Sequence, residues 1–321
     1  MKGLVSSPLD DVPPGLAGDI DVLRFALEET EAGRPSALVT ITGLDGPFSR
    51  PLGAQLAVAQ DGRFVGSISG GCLERALAAE AQGAIDARQN RRLRYGEGSP
   101  FLDVRLPCGG GIDLHVNVHT RREVLADAVA RGEARLPFAL AVDPESRTAG
   151  MVMADPPMRG AFMRVFPPRL RIVLAGRGWE IVAMTRLARL WDCEVIVASQ
   201  EAATLQYCRP LADKLIQLTT PANAPSLPLD SHTAMACLFH EHEWEAPLLL
   251  DALRSPAFYV GALGSRQTHE TRLMTLRELG AGPDDLLKLK APIGLFPSRD
   301  PRGLALSALA EIMSLQPGAA P

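Results

Sequence analysis

The chain has 321 residues, about two domains' worth, each large enough to bury its own core. With 46% hydrophobic and 22% charged residues it is of ordinary globular composition, and 33 Lys plus Arg against 37 Asp plus Glu leave a formal charge of -4. That balance offers no basic field for nucleic acid, no apolar run reaches the roughly 18 residues of a spanning helix, and acidic and proline residues fill the N-terminus. A cytoplasmic location without membrane or nucleic-acid partners is therefore expected. Five cysteines (Cys72, Cys108, Cys193, Cys208, Cys237), with neither CxxC nor His spacing, argue against a zinc site or a disulfide framework, so reduced thiols are expected.

In chain order, Ile20, Leu23 and Leu27 have helical spacing over 19–31, with Asp19 as N-cap and Gly33 closing the helix. Segments 36–42, 55–59 and 63–69 read as strands joined by tight turns. Leu73, Leu77, Ala81, Ala84 and Ile85 mark a helix over 72–88, directly after Gly70-Gly71. Two strands, 101–106 and 112–118, flank Pro107-Cys108-Gly109-Gly110-Gly111. A charged helix, a hairpin around 143–150 and a proline-rich linker over 155–168 follow, with the boundary near Pro167-Pro168. Residues 1–166 thus form an N-terminal domain built on a small mixed sheet. In 167–321, strand 170–175, Gly176-Arg177-Gly178, a helix carrying Ile181, Met184 and Leu187, and strand 194–198 make a βαβ unit. Strands at 234–239 and 258–261 and helices at 246–254, 268–279 and 301–314 complete a Rossmann-like, doubly wound parallel sheet. The fold class expected is α/β.

Gly176 and Gly178 supply the first two glycines of a dinucleotide fingerprint, which let a phosphate approach a helix N-terminus. The third position is Ile181, and Ala198, Ser199 and Gln200 stand where an acid would hold a ribose, with Glu201 slightly late. The half motif fits either a phosphate-bearing ligand or a scaffold that binds no dinucleotide. Ser69-Gly70-Gly71-Cys72 puts a thiol at the first turn of a helix, where free N–H groups favour the thiolate and attract anions. Cys108, beside Gly109 and Gly110, lies on a backbone bare enough for a bulky ligand. The structural alternative is that both cysteines are small buried hydrophobes. Gly264, Ser265 and Arg266 join N–H groups, a hydroxyl and a guanidinium at a helix entry, an arrangement for phosphate or carboxylate. Alternatively Ser265 caps the helix and Arg266 pairs with Glu270. His240-Glu241-His242 has alternate histidines but no third ligand, which favours exposed loop histidines over a metal site.

Taken in order, these pieces resemble the XdhC/CoxI family of accessory proteins that mature xanthine dehydrogenases, carbon monoxide dehydrogenases and related molybdenum hydroxylases. The resemblance is carried by 66–74 (GSISGGCLE), 107–112 (PCGGGI), 259–266 (YVGALGSR), Ala291-Pro292-Ile293-Gly294-Leu295 and Ala310-Glu311-Ile312. The chain departs from the family at Arg177 and Trp179, where members read GAGH, at Phe48-Ser49-Arg50 and at Phe239-His240-Glu241-His242. The resemblance implies a chaperone for molybdenum cofactor, carried as cargo, that shields it during sulfuration and delivers it to an apo molybdenum hydroxylase. It implies an accessory factor rather than an enzyme, with a cysteine desulfurase as a further partner and no catalytic residue. The residues expected to hold the cofactor are Ser69, Gly70, Gly71, Cys72, Cys108, Gly109, Gly110, Gly176, Gly178, Gly264, Ser265 and Arg266, with Cys72 and Cys108 at the metal end. NAD(P) is not expected; the alternative reading is an NAD(P)-dependent oxidoreductase using the C-terminal domain. A homodimer would let the two sets of turns face one another, although no sequence feature demands it.

Overall fold

The computed structural model describes residues 17–71, 73–99, 110–154, 157–221, 225–239 and 242–317. The chain divides into two compact units, Met1–Pro168 and Arg169–Pro321.

The first unit opens with α1 (Asp19–Glu31). Its N-cap is Gly18 rather than the expected Asp19, and the Gly18 N–H donates to Asp21 at 3.1 Å. Strands β1 (Ser36–Asp45), β2 (Gln55–Ala59) and β3 (Phe64–Gly66) precede α2 (Glu74–Ala87), and β4 (Arg91–Gly96) and β5 (Gly111–Asn117) follow it. They form one antiparallel sheet in the order β3-β2-β1-β5-β4. The polar segment of β4 gives no strand signal in the sequence; the expected strand at 101–106 lies outside the described residues. Next come α3 (Arg122–Glu133), β6 (Phe138–Val142), β7 (Val152–Met153) and β8 (Phe162–Phe166), the strands forming a small antiparallel sheet, β7-β6-β8. Period-two alternation gives the large sheet two apolar faces. Val39, Ile41, Leu56 and Leu114 pack on Leu77, Ala81 and Ile85 of α2, whereas Leu38, Ala57 and Ala59 face Leu23, Leu125 and Leu140.

In the second unit, β9 (Arg171–Gly176), α4 (Trp179–Leu190), β10 (Glu194–Ser199), α5 (Ala202–Cys208), β11 (Lys214–Gln217), β12 (Thr233–Leu238) and α6 (His242–Arg254) come in turn. They are followed by β13 (Tyr259–Ala262), α7 (Arg266–Glu278), α8 (Pro283–Leu287), β14 (Leu289–Lys290) and α9 (Pro301–Ser314). All pairings are parallel in the order β11-β10-β9-β12-β13-β14, the doubly wound Rossmann arrangement. One face packs on α4 and α9 through Ile181, Met184, Ala308 and Ile312, the other on α6 and α7 through Leu249, Leu253 and Leu276. Burial on both faces explains why these strands are continuous apolar runs. Among the described residues, no helix is long and apolar enough to cross a membrane.

Candidate functional site

In the first unit the order and directions of the strands carry β3 out, and β5 in, at one end of the large sheet. The end of β3 at Gly66, before Cys72 is reached, and the start of β5 at Gly111 therefore lie at the same end of the sheet. Cys72, Cys108 and Gly109 lie outside the described residues. In the turn Ser69-Gly70-Gly71-Cys72, where free N–H groups are expected, those of Ser69, Gly70 and Gly71 are already used. Glu74, the first residue of α2 and almost wholly buried, accepts from the N–H groups of Ile68 (3.0 Å), Ser69 (2.8 Å) and Gly71 (2.8 Å). It also accepts from the hydroxyls of Ser67 (3.1 Å) and Ser69 (2.6 Å). Ser67 takes the N–H of Gly70, and Ser69 that of Leu73. Burial opposes ionisation of Glu74, but the bonds from Ser69 and Ile68 outweigh it and hold the carboxyl at about 2. Gly70 and Gly71 serve this wrap with φ of 74° and 119°, where an L side chain would be strained.

The half-buried Arg50 donates to the Ser67 hydroxyl at 3.4 Å, and among the described residues no carboxylate pairs with it. Arg50 thus brings a positive charge to the loop that leads into Cys72, as no helical or strand periodicity could signal. Gly110 has a packing reason to be glycine: a Cβ there would stand 2.1 Å from the Asp45 carbonyl oxygen. Beside it Arg94 bridges Asp45 and Asp113.

In the second unit, the Gly176 and Gly264 turns sit at the carboxyl ends of β9 and β13, on either side of β12, where open α/β sheets take their ligands. Gly176 lies against β12 so closely that a Cβ would meet the Leu238 carbonyl oxygen at 2.6 Å. Gly178 donates its N–H to the buried Thr204 hydroxyl at 2.9 Å, and Thr204 in turn donates to Glu201. The late acid is therefore tied to its own helix start. At the other turn Ser265 is the N-cap of α7, accepting from the Thr268 N–H at 3.1 Å. Arg266 is exposed and makes no ion pair with Glu270 or any other described acid, so the surface-pair alternative is not realised.

Below this turn lies a residue that the sequence did not single out. Arg272 of α7, 2% exposed, donates to Glu245 of α6 through Nε (2.8 Å) and Nη2 (3.2 Å) and to the Leu263 carbonyl at 2.5 Å. Its Nη1 has no partner among the described residues, and neither has the buried Nδ1 of His269. Burial and then Arg272 lower the pKa of His269 and favour its neutral ring. The only signal for Arg272 was a charged residue on the apolar face of a helix, which does not reveal a partner 27 positions away.

The other conspicuous motif segments have structural work. Tyr259 folds over Gly261, where a Cβ would stand 2.5 Å from its hydroxyl. That hydroxyl donates to Glu311 at 2.5 Å, and Glu311 also accepts from the Gly294 N–H at 2.8 Å. The Tyr259, Gly294 and Glu311 segments thus form one tie between β13, the loop after β14, and α9. Cys193, Cys208 and Cys237 are buried thiols; burial pushes Cys193 up to about 12 and raises the other two. His240 and Glu241 lie outside the described residues, and among the described ones no three His, Cys, Asp or Glu residues could hold a metal.

Residues 172–312 match the XdhC Rossmann domain, and residues 30–96 match the XdhC and CoxI family. The chain is 38% identical over 301 residues to the molybdenum cofactor insertion chaperone PaoD of Escherichia coli, covering 92% of this chain and 88% of that protein. It is 22% identical over 329 residues to a protein of Bacillus subtilis named as a probable xanthine dehydrogenase component, covering 91% and 96%. A crystal structure described as a xanthine dehydrogenase from Bacillus halodurans superposes with a TM-score of 0.78 at 20% identity, covering 95% of this chain and 98% of that one, and shares its fold. With both halves matched and PaoD aligned almost end to end, the chain belongs to the XdhC/CoxI family.

Proposed function

We propose that this chain is a cytoplasmic chaperone that binds molybdenum cofactor as cargo, protects it while its terminal sulfido ligand is installed, and inserts it into a molybdenum hydroxylase such as xanthine dehydrogenase. The observation that carries the reading is the 38% identity, over nine-tenths of the chain, to a molybdenum cofactor insertion chaperone. In this reading Cys72 and Cys108 meet the metal end of the cargo. Glu74 holds the 67–71 loop in one conformation beside Arg50, so the loop is ordered before the cargo arrives. The turns Gly176-Arg177-Gly178 and Gly264-Ser265-Arg266 are the candidates for its phosphate. The partners are the apo-enzyme and a cysteine desulfurase as sulfur source. A homodimer enters if one protomer's cysteine turns must face another's phosphate turns.

The alternative, an NAD(P)-dependent oxidoreductase, has less support. The Gly178 N–H that would meet a pyrophosphate is bonded to Thr204, and Glu201, nearest to the ribose-binding position, is bonded to the same hydroxyl. Calorimetry of the purified protein with molybdenum cofactor and with NAD(P)H separates the two, followed by reconstitution of an apo molybdenum hydroxylase. Cofactor binding and restored hydroxylase activity are expected. Retention of the nicotinamide alone would overturn the proposal.

A further inference from the structure

We propose that the turn Gly264-Ser265-Arg266 and the buried guanidinium of Arg272 behind it form a phosphoryl-binding site at the carboxyl end of β13. The inference deepens the preceding reading, on which it rests for the source of the phosphoryl group, the terminal phosphate of a pterin cofactor.

Three independent features meet at this turn. First, α7 is a 13-residue helix whose N-cap hydroxyl satisfies only Thr268; the N–H groups of Arg266 and Gln267 project from its N-terminus with no acceptor among the described residues. Such an end attracts anions. Second, Arg272 is buried, and Glu245 engages only its Nε and Nη2 edge. Nη2 also donates to the Leu263 carbonyl and lies 3.3 Å from where a Cβ on Gly264 would stand, so the guanidinium is held against the backbone that enters the helix. Nη1, bonded to the same guanidinium carbon, is left with both hydrogens unused. Buried donors are almost always paired, and a charge-bearing one without an acceptor is a strong demand for one. Third, Arg266 adds an exposed guanidinium at the first position of the same helix, with no carboxylate among the described residues to neutralise it.

Glu245 neutralises one unit of charge at Arg272, so what remains is Arg266, the helix end and the Nη1 donor. A tetrahedral oxyanion offers acceptors in several directions at once, which suits donors from a helix end and two guanidinium groups; a planar carboxylate could engage only part of the set. Gly264 fits this use. At φ 140° a Cβ would stand 2.8 Å from Thr268 and crowd Arg272, whereas glycine leaves the guanidinium against bare backbone.

The test uses the full chain, with inorganic phosphate titrated by phosphorus NMR and retention of molybdenum cofactor measured separately, for wild type, Arg272→Lys and Arg266→Ala. Arg272→Lys keeps a charge for Glu245 but removes Nη1 and should weaken anion binding at least about tenfold. Arg266→Ala, at an exposed position, should leave the fold intact and weaken it roughly three- to tenfold. If Arg272→Lys does not fold, Arg266→Ala decides alone. Phosphate binding that is weakened by the variants, with no cofactor retained by wild type, would support the site for free phosphate and sink the chaperone reading. Cofactor retained equally by wild type and folded variants would overturn the site and leave the chaperone reading standing. Phosphate affinity unchanged in the variants would likewise overturn it.

Discussion

Glu74 is the residue on which the first unit's functional loop depends. A carboxylate 5% exposed survives only because five donors converge on it, and removing the charge leaves three N–H groups of the loop without a proper acceptor. Glu74→Gln should therefore destabilise the protein by roughly 2 to 4 kcal/mol, read as a lower denaturant midpoint. The pH dependence has a definite sign. The folded carboxyl titrates at about 2 against 4.5 for an unperturbed glutamate, so its contribution is complete above about 4.5 and is lost as pH falls toward 2. That contribution is on the order of 3 kcal/mol. Wild type should lose it in acid unfolding and Glu74→Gln should lack that arm; parallel acid titrations of the two proteins would contradict the assignment. Thiol reactivity gives a second prediction at this scale. Burial holds Cys193, Cys208 and Cys237 protonated, so in the native protein Cys72 and Cys108 should alkylate first near neutral pH, as read by peptide mass spectrometry. Labelling of Cys193 at the same rate as Cys72 would remove Cys72 from the proposed cargo site.

Among the elements, β13 and α9 show how motif residues can be structural. Tyr259 lies over Gly261 and reaches Glu311, which also holds the Gly294 N–H. Gly261→Ala would force the ring away and break that tie, at a cost of about 2 to 4 kcal/mol, whereas Tyr259→Phe should cost about 1 to 2 kcal/mol. Thermal or denaturant unfolding distinguishes the two, and equal midpoints would refute the packing account. The same scale explains which elements were legible. Asp19–Glu31 and Pro301–Ser314 have the bounds their spacing predicts, because each carries a regular apolar stripe closed by a glycine or opened by Asp300-Pro301. Strand Arg91–Gly96 gives no signal because three of its six residues are arginine; only Leu93 and Tyr95 face the core, and the strand lies at the edge of its sheet. Strands β11 and β14 are four and two residues long, too short for any periodicity to appear.

For the molecule as a whole, each unit has apolar clusters of its own among the described residues, two built from residues 22–166 and two from residues 170–312. Residues 169–321 expressed alone should therefore unfold cooperatively with native-like circular dichroism. A fragment without a cooperative transition would show that the units are not thermodynamically independent. The sequence by itself determined the α/β class, the βαβ start of the second unit, the glycine turns and the family, because these rest on local periodicity, on backbone positions that only glycine tolerates, and on motifs contiguous in the chain. Only the tertiary structure decided what those turns contain. It filled the Gly70-Gly71 loop with Glu74, tied Glu201 to Thr204 and Gly178, and placed Arg272 under the Gly264 turn with one nitrogen unpaired. The physical reason is that a buried charge is defined by the donors and acceptors around it, and for Arg272 and Glu245 these come from separate helices whose meeting is fixed by the packing of α6 and α7 on one face of the sheet.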